Sequence, residues 1–277
     1  MDIPVGVTAA VLGAALLHAS WNVLLKSGED KELESISIAV GSGLIALVVA
    51  PFLPAPASAS WPWLAGSALV HILYFVFLAG AYRWGELSYT YPVMRGGGPM
   101  IVALVGAAAL GEVLPMKETL GVVLICAGIL AFASGRHHPR ATGFALANAV
   151  VIATYTLIDG QGARASRAPV SYTLWFFAAN GIVLLAYASA RGRGSAIATY
   201  FRRKWPRALI GGMLAVGSYG IALWAMTRAP IALVAVLRET AVIFAAVLSA
   251  IFLREKMTRR RLVATGAVML GLIVLRV

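Results

Sequence analysis

Charge is scarce in this chain, and acidic charge most of all. Only 12% of its 277 residues are charged, and 11 are acidic. Soluble domains carry about 25% charged and about 45–50% apolar residues. Cysteine is nearly absent. Cys126 stands alone inside an apolar run, which excludes an intrachain disulfide and any paired-thiol redox motif. Histidines number 4, and the two in "RHHP" (136–139) have no further ligands beside them, so they read as a solvated turn and not a metal site. The triplet "GGG" (96–98) has no Lys-Ser/Thr after it and no strand before it, which excludes a phosphate loop. No enzyme signature remains, and no cofactor or metal is expected.

What is there is apolar. Hydrophobic residues make up 60% of the chain and mean hydropathy is +0.85. A bilayer-spanning helix needs about 20 largely apolar residues. The chain offers ten such runs, roughly 5–25, 36–53, 61–82, 87–110, 117–134, 142–158, 171–189, 206–226, 231–252 and 259–276. The first run lacks a basic leader and a small-residue cleavage site, so it reads as a helix that stays. Turn residues fill the connections, as in "PFLPAPASAS" and "TRAP". The fold class expected is an all-α polytopic membrane protein.

The formal net charge is +12. Its basic residues lie in short loops between apolar runs, as the positive-inside rule requires, and not in a nucleic-acid-binding patch. The loops after the odd-numbered runs hold 16 Lys and Arg, and the opposite side, with both termini, holds 5. Both termini are therefore expected outside the cytoplasm.

The two halves resemble each other. "VMRGGGPMIVALVGAAALGEVL" (93–114) aligns without a gap with "VLRETAVIFAAVLSAIFLREKM" (236–257), at an offset of 143. Arg95 then falls on Arg238, and Glu112 on Glu255. Five helices per half is an odd number, so the second half enters the membrane inverted. The expectation is two inverted five-helix repeats, 1–135 and 141–277, with a substrate site near the midplane where they meet.

Charges inside a membrane mark function more often than packing. Arg95 lies eight residues into its helix, about 12 Å deep at 1.5 Å per residue. Arg238 lies seven residues into the helix that enters from the other side, with Glu239 beside it and able to reach Arg95. Two arginines against one glutamate leave a positive excess. Either Asp159 or Glu86 supplies the missing acid, or the site receives an anion, for which a carboxylate on a guanidinium fork is the simplest fit. His18, Trp21 and Asn22 share one face of the first helix. Tyr74 and Tyr82 share a face with His71. Tyr155, Trp175 and Tyr219 complete the amphipathic residues expected around a cavity. Trp61, Trp63, Trp205 and Tyr172 read as interfacial belt residues. His18 and Glu239 are the candidates for proton coupling. Gly96, Gly97, Gly98 and Pro99 follow Arg95 and predict a hinge in the fourth helix alone.

Ten helices in an inverted five-plus-five repeat, with Gly111-Glu112 and Arg254-Glu255 closing the fourth and ninth, resemble the EamA type of the drug/metabolite transporter superfamily. "LLHASWNVLLK", "YTLIDGQGAR" and "RAPIALVAVLRET" resemble one bacterial branch of it. The resemblance implies a multi-pass protein of the bacterial inner membrane that exports small metabolites, amino acids first among them, by alternating access. The charge count departs from the cytoplasmic termini usual in that family. A carrier for another organic anion, such as a phosphonate or nucleotide-related metabolite, is the alternative. A non-transport scaffold would not need the central charges. The expected partners are a small-molecule substrate and the bilayer, not nucleic acid. A monomer and a homodimer are equally compatible with the sequence.

Overall fold

The computed structural model describes residues 3–133, 138–252 and 258–276, and they form helices with no strand among them. In chain order these are α1 (Val5–Lys26), α2 (Lys31–Val49), α3 (Trp61–Trp84), α4 (Leu87–Leu110), α5 (Met116–Leu130), α6 (Pro139–Ser166), α7 (Pro169–Ala190), α8 (Gly194–Met226), α9 (Ile231–Arg238), α10 (Ala241–Phe252) and α11 (Arg259–Arg276). Among the described residues eight stretches are long and apolar enough to cross a membrane, with α9 and α10 counted as one run, Ile231–Phe252. α5 and the apolar part of α11, Leu262–Leu275, are shorter. Both lie close to residues outside the described set, and Glu255, expected to match Glu112, is itself outside it. Large apolar side chains cover the exterior, among them Val48, Phe52, Leu69, Leu104, Ile182 and Phe252. Water would reject such a surface, and lipid accepts it.

Two boundaries differ from expectation. The stretch 194–205, expected as a loop, is helical and runs into α8 across a kink at Lys204 (φ −122°, ψ 22°). Ile197 and Tyr200 turn inward from it and are buried, so the segment docks instead of dangling. α6 also extends beyond its expected end, to Ser166.

Helices from the two ends of the chain interleave. α2 packs on α7 and α8, α3 on α6, α4 on α5 and α6, α1 on α8 and α10, and α5 on α11. Small residues set the closest approaches, as they do where lipid offers no hydrophobic drive for association. At Gly41 of α2 an added Cβ would lie 2.5 Å from the carbonyl oxygen of Ala208 on α8. The largest buried cluster gathers Val11, Tyr172, Tyr219, Leu223, Met226, Ile231 and Leu237 around α9.

Ionic contacts tie the helix ends. At the basic end, the loop after α1 meets α8. Glu29 accepts from Arg203 (2.5 Å) and Lys204 (3.0 Å), and Arg193 pairs with Glu32. Buried Glu34 accepts from Arg207 (2.6 Å) and from the Tyr200 hydroxyl (2.6 Å). At the other end the pair among the described residues is Glu112 and Arg164. Glu112, just past α4, binds Arg164 of α6 at 2.6 Å and caps the N-terminus of α9 by accepting from the Ile231 amide at 2.8 Å. Arg164 also donates to the carbonyls of Met226 (2.8 Å) and Ala229 (3.1 Å), acceptors at and beyond the end of α8. A carboxylate at a helix N-terminus and a guanidinium at a C-terminus both favour the helix dipole. The joint floors a depression of about 630 Å³ lined by Ile3, Leu114, Arg228 and Leu233.

Three outcomes follow from this packing. Gly41→Val should destabilise the protein by about 1–3 kcal/mol through overpacking, read as a lower unfolding midpoint in detergent, whereas Gly13→Ala, with open space around it, should not. The hydrogen bond from Lys204, then the charge of Arg203, hold Glu29 below the usual carboxylate value. Its contribution is therefore present above the unfolded-state value and lost as pH falls through the lower folded one, and Glu29→Gln should remove that small acid-side component of a melting curve. Glu112→Gln should loosen the opposite joint. In a Cys126→Ser background, Leu233→Cys should then react several-fold faster with an impermeant maleimide than it does with Glu112 intact.

Candidate functional site

The centre of the molecule is held by one buried ion pair. Arg95 of α4 meets Glu239, just past the C-terminus of α9, at 2.8 Å, with side chains 14% and 6% exposed. Arg95 Nε and Glu239 Oε2 make no hydrogen bond, so the pair is strongly held but not saturated. His18 of α1 lies within electrostatic reach of Arg95 and Arg238, and Tyr74, Tyr91 and Tyr155 within reach of Arg95.

Arg238 has a different environment. Its guanidinium carbon lies 5.0 Å from the centroid of the Tyr219 ring, in cation–π contact. Among the described residues no carboxylate lies within ion-pair distance of it. Glu86, one of the two acids considered for it, is exposed at the start of α4. The other, Asp159 of α6, is fully buried nearby but pairs elsewhere. It accepts from the Tyr219 hydroxyl at 2.6 Å and from the Tyr172 hydroxyl at 3.1 Å. The Tyr219 ring therefore carries a cation on its face and a carboxylate at its tip.

Aromatic side chains wall this region. His71 lies 4.4 Å from Tyr155 and 5.0 Å from Phe176, ring centroid to centroid, and Phe176 lies 5.3 Å from Tyr219. His71 also bonds to the Ser67 carbonyl at 2.8 Å. Tyr74 borders the same group from α3. Tyr82 lies at its edge, 39% exposed, facing Tyr91. His18 and Trp21 stack edge to face at 5.1 Å. The Asn22 amide donates to the His18 carbonyl of its own helix at 2.7 Å, a local bond that leaves its oxygen as its remaining acceptor.

Two expectations need correction. Trp175 is not in this cluster. It is 37% exposed and meets Trp61 edge to face at 5.4 Å, so the two form part of the outer surface. Tyr172, expected in the interfacial belt, is fully buried with its hydroxyl on Asp159. Its place in the first turn of α7 hid this, because a helix-end tyrosine looks alike whether it faces lipid or a neighbouring helix. Tyr91 and Phe176 were also missed, although Tyr91 stands four residues before Arg95 and so on the same face.

The glycines and proline expected to form a hinge do not interrupt the helix in this conformation. α4 is continuous through Pro92 and Pro99. Its glycines make room instead. A Cβ on Gly96 would lie 3.1 Å from the Cys126 carbonyl of α5, and one on Gly98 would lie 2.9 Å from the Ile152 side chain of α6. The break falls in the other half, between α9 and α10. There the ladder shortens to i→i+3 bonds, Val242 to Glu239 (3.0 Å) and Ile243 to Thr240 (2.9 Å), and the Thr240 hydroxyl donates to the Leu237 carbonyl at 2.7 Å. Thr240 is β-branched and can offer its own hydroxyl to the backbone, which explains why the chain yields at "ET" and not at "GGGP".

Comparison with known proteins places this geometry. Residues 140–277 match the EamA-like transporter family. Over 79 residues the chain is 29% identical to the multidrug resistance protein EbrB of Bacillus subtilis (strain 168), covering 28% of this chain and 67% of that protein. A solved crystal structure superposes with a TM-score of 0.70 at 16% identity, covering 97% of this chain and 94% of the other, a likeness of fold alone. With an apolar exterior around partly buried arginines, the chain is a multi-pass membrane protein whose residues 140–277, just under half of it, are similar to the EamA-like transporter family.

Proposed function

We propose that the protein is an alternating-access carrier of small metabolites bearing a carboxylate or similar anionic group, amino acids first among them. The observation that carries this reading is Arg238: a guanidinium with no carboxylate within ion-pair distance among the described residues, on an aromatic wall, next to a second arginine that is paired. Arginine cannot shed its charge, and a partly buried cation without an anion still carries a desolvation cost. A substrate anion would relieve that cost.

Ten membrane-crossing helices in two inverted repeats, with termini outside the cytoplasm of a bacterial cell, fit this mechanism. The match of Arg95 to Arg238 at an offset of 143 supports the repeat. So does the packing of α5 against α11, the last helices of the two halves. The closed basic end and the depression at the opposite end are what a carrier open to one side would present. Similarity to a protein named for multidrug resistance favours export as the direction.

Purified protein in liposomes should take up labelled amino acids against an empty-liposome control. Arg238→Gln should keep the fold and lower the initial rate about 10- to 100-fold, the loss expected for about 1.5–3 kcal/mol of charged hydrogen bonding. Arg95→Ala should instead lower stability by about 3–5 kcal/mol, because it leaves Glu239 buried without a partner. An Arg238→Gln protein that transports at the native rate would exclude this site.

A further inference from the structure

An arginine and a carboxyl group at the centre share one side chain and, among the described residues, have no ionic partner. Arg238 lies over the face of Tyr219, and Asp159 accepts from the hydroxyl of the same tyrosine at 2.6 Å. Asp159 is 0% exposed. Its nearest groups come from four helices: Ser67 and His71 of α3, Tyr155 of its own helix, Tyr172 of α7 and Tyr219 of α8. Among the described residues no Lys, Arg or His nitrogen lies within 4.0 Å of its carboxylate. The two phenols give it hydrogen bonds but no charge. A cation beside it would favour the ionised form of this buried carboxyl beyond what the phenol hydrogen bonds supply.

The surroundings suit an organic cation. Tyr219 meets the acid through its hydroxyl, and Phe176, His71 and Tyr155 continue an aromatic cluster from it; aromatic faces attract ammonium groups, more strongly once desolvated. Arg238 and Asp159 do not pair with each other because the length of Tyr219 separates them. We infer that Asp159 is the ammonium-binding pole of the substrate site, so that Tyr219 holds apart an anion-binding end at Arg238 and a cation-binding end at Asp159. The substrate class is thereby narrowed from anions in general to zwitterions carrying a primary ammonium group. This rests on the carrier reading and adds a second recognition point to it. A metal ion is a poor alternative occupant, since no group of three or more His, Cys, Asp or Glu side chains gathers among the described residues.

The test uses matched ligands. Leucine is compared with 4-methylpentanoate, which lacks the amino group, and with 3-methylbutylamine, which lacks the carboxylate; phenylalanine, 3-phenylpropanoate and phenethylamine form a second set. Binding is read by calorimetry on the detergent-solubilised protein and transport by uptake into liposomes. At least one amino acid should bind and be carried about tenfold or more better than its carboxylate-only analogue, since a site built for a polar group rejects a ligand lacking it. Asp159→Asn should bring that ratio to about 1. Tyr172→Phe, which removes one phenol but keeps the carboxylate, should leave the ratio high.

A wild-type protein that treats the amino acid and its deaminated analogue alike overturns the inference whatever the variants do, so a misfolded Asp159→Asn does not rescue it. A ratio that survives Asp159→Asn while the pH dependence of uptake disappears also overturns it, and makes Asp159 a proton carrier. Selective binding without any transport would instead overturn the carrier reading and leave the two-pole site standing. Neither binding nor uptake of any of the six compounds overturns both.

Discussion

The Arg95–Glu239 pair is the constraint around which the rest is arranged. Two charges taken out of water repay their desolvation only when their geometry is tightly held. Holding them brings α4 against the junction of α9 and α10 and requires both helices to be flanked closely. The glycines after Arg95 allow that, since they let α5 and α6 approach α4 to near backbone contact. The short i→i+3 turn after Arg238 allows it from the other side, because it sets Glu239 at a helix end and off a continuous helical face. With one acid committed to Arg95, Arg238 is left to Tyr219, and Asp159 to two phenols. The uneven distribution of partners at the centre gives the site its polarity.

Much of this was legible in the residues. The membrane class followed from the scarcity of charge, and the central charges from their depth in apolar runs. The reach of Glu239 to Arg95 followed from adjacent helical residues pointing about 100° apart. What stayed hidden depended on which helix faces which. Asp159 was seen as an acid near a helix end, but its burial depends on α7 and α8 folding over it. Trp175 and Tyr172 are three residues apart on α7, and only the packing decides that Tyr172 turns inward and Trp175 outward.

"GGGP" shows a subtler limit. Glycine and proline lower the cost of bending, yet they equally lower the cost of close packing, and the sequence cannot say which use is made of them. In this conformation α4 uses them for packing. The helix that does break has no glycine at the break, because Thr240 supplies from its side chain the bond that the backbone gives up.

The two ends of the molecule are fastened by different means. At the basic end several pairs stand in solvent: Arg203 and Glu29 are each 61% exposed, and Arg193 and Glu32 are 37% and 55% exposed. At the other end Glu112 is only 12% exposed and its second oxygen is committed to a backbone amide. Mobile ions screen exposed charges over about 8 Å at physiological strength but act weakly on sheltered ones. Rising ionic strength therefore weakens the solvent-exposed pairs of the basic end and leaves its buried Glu34–Arg207 contact in place, while Glu112 at the opposite end is sheltered from it. A change of salt on the basic side thus loosens the rim of that fastening before its centre.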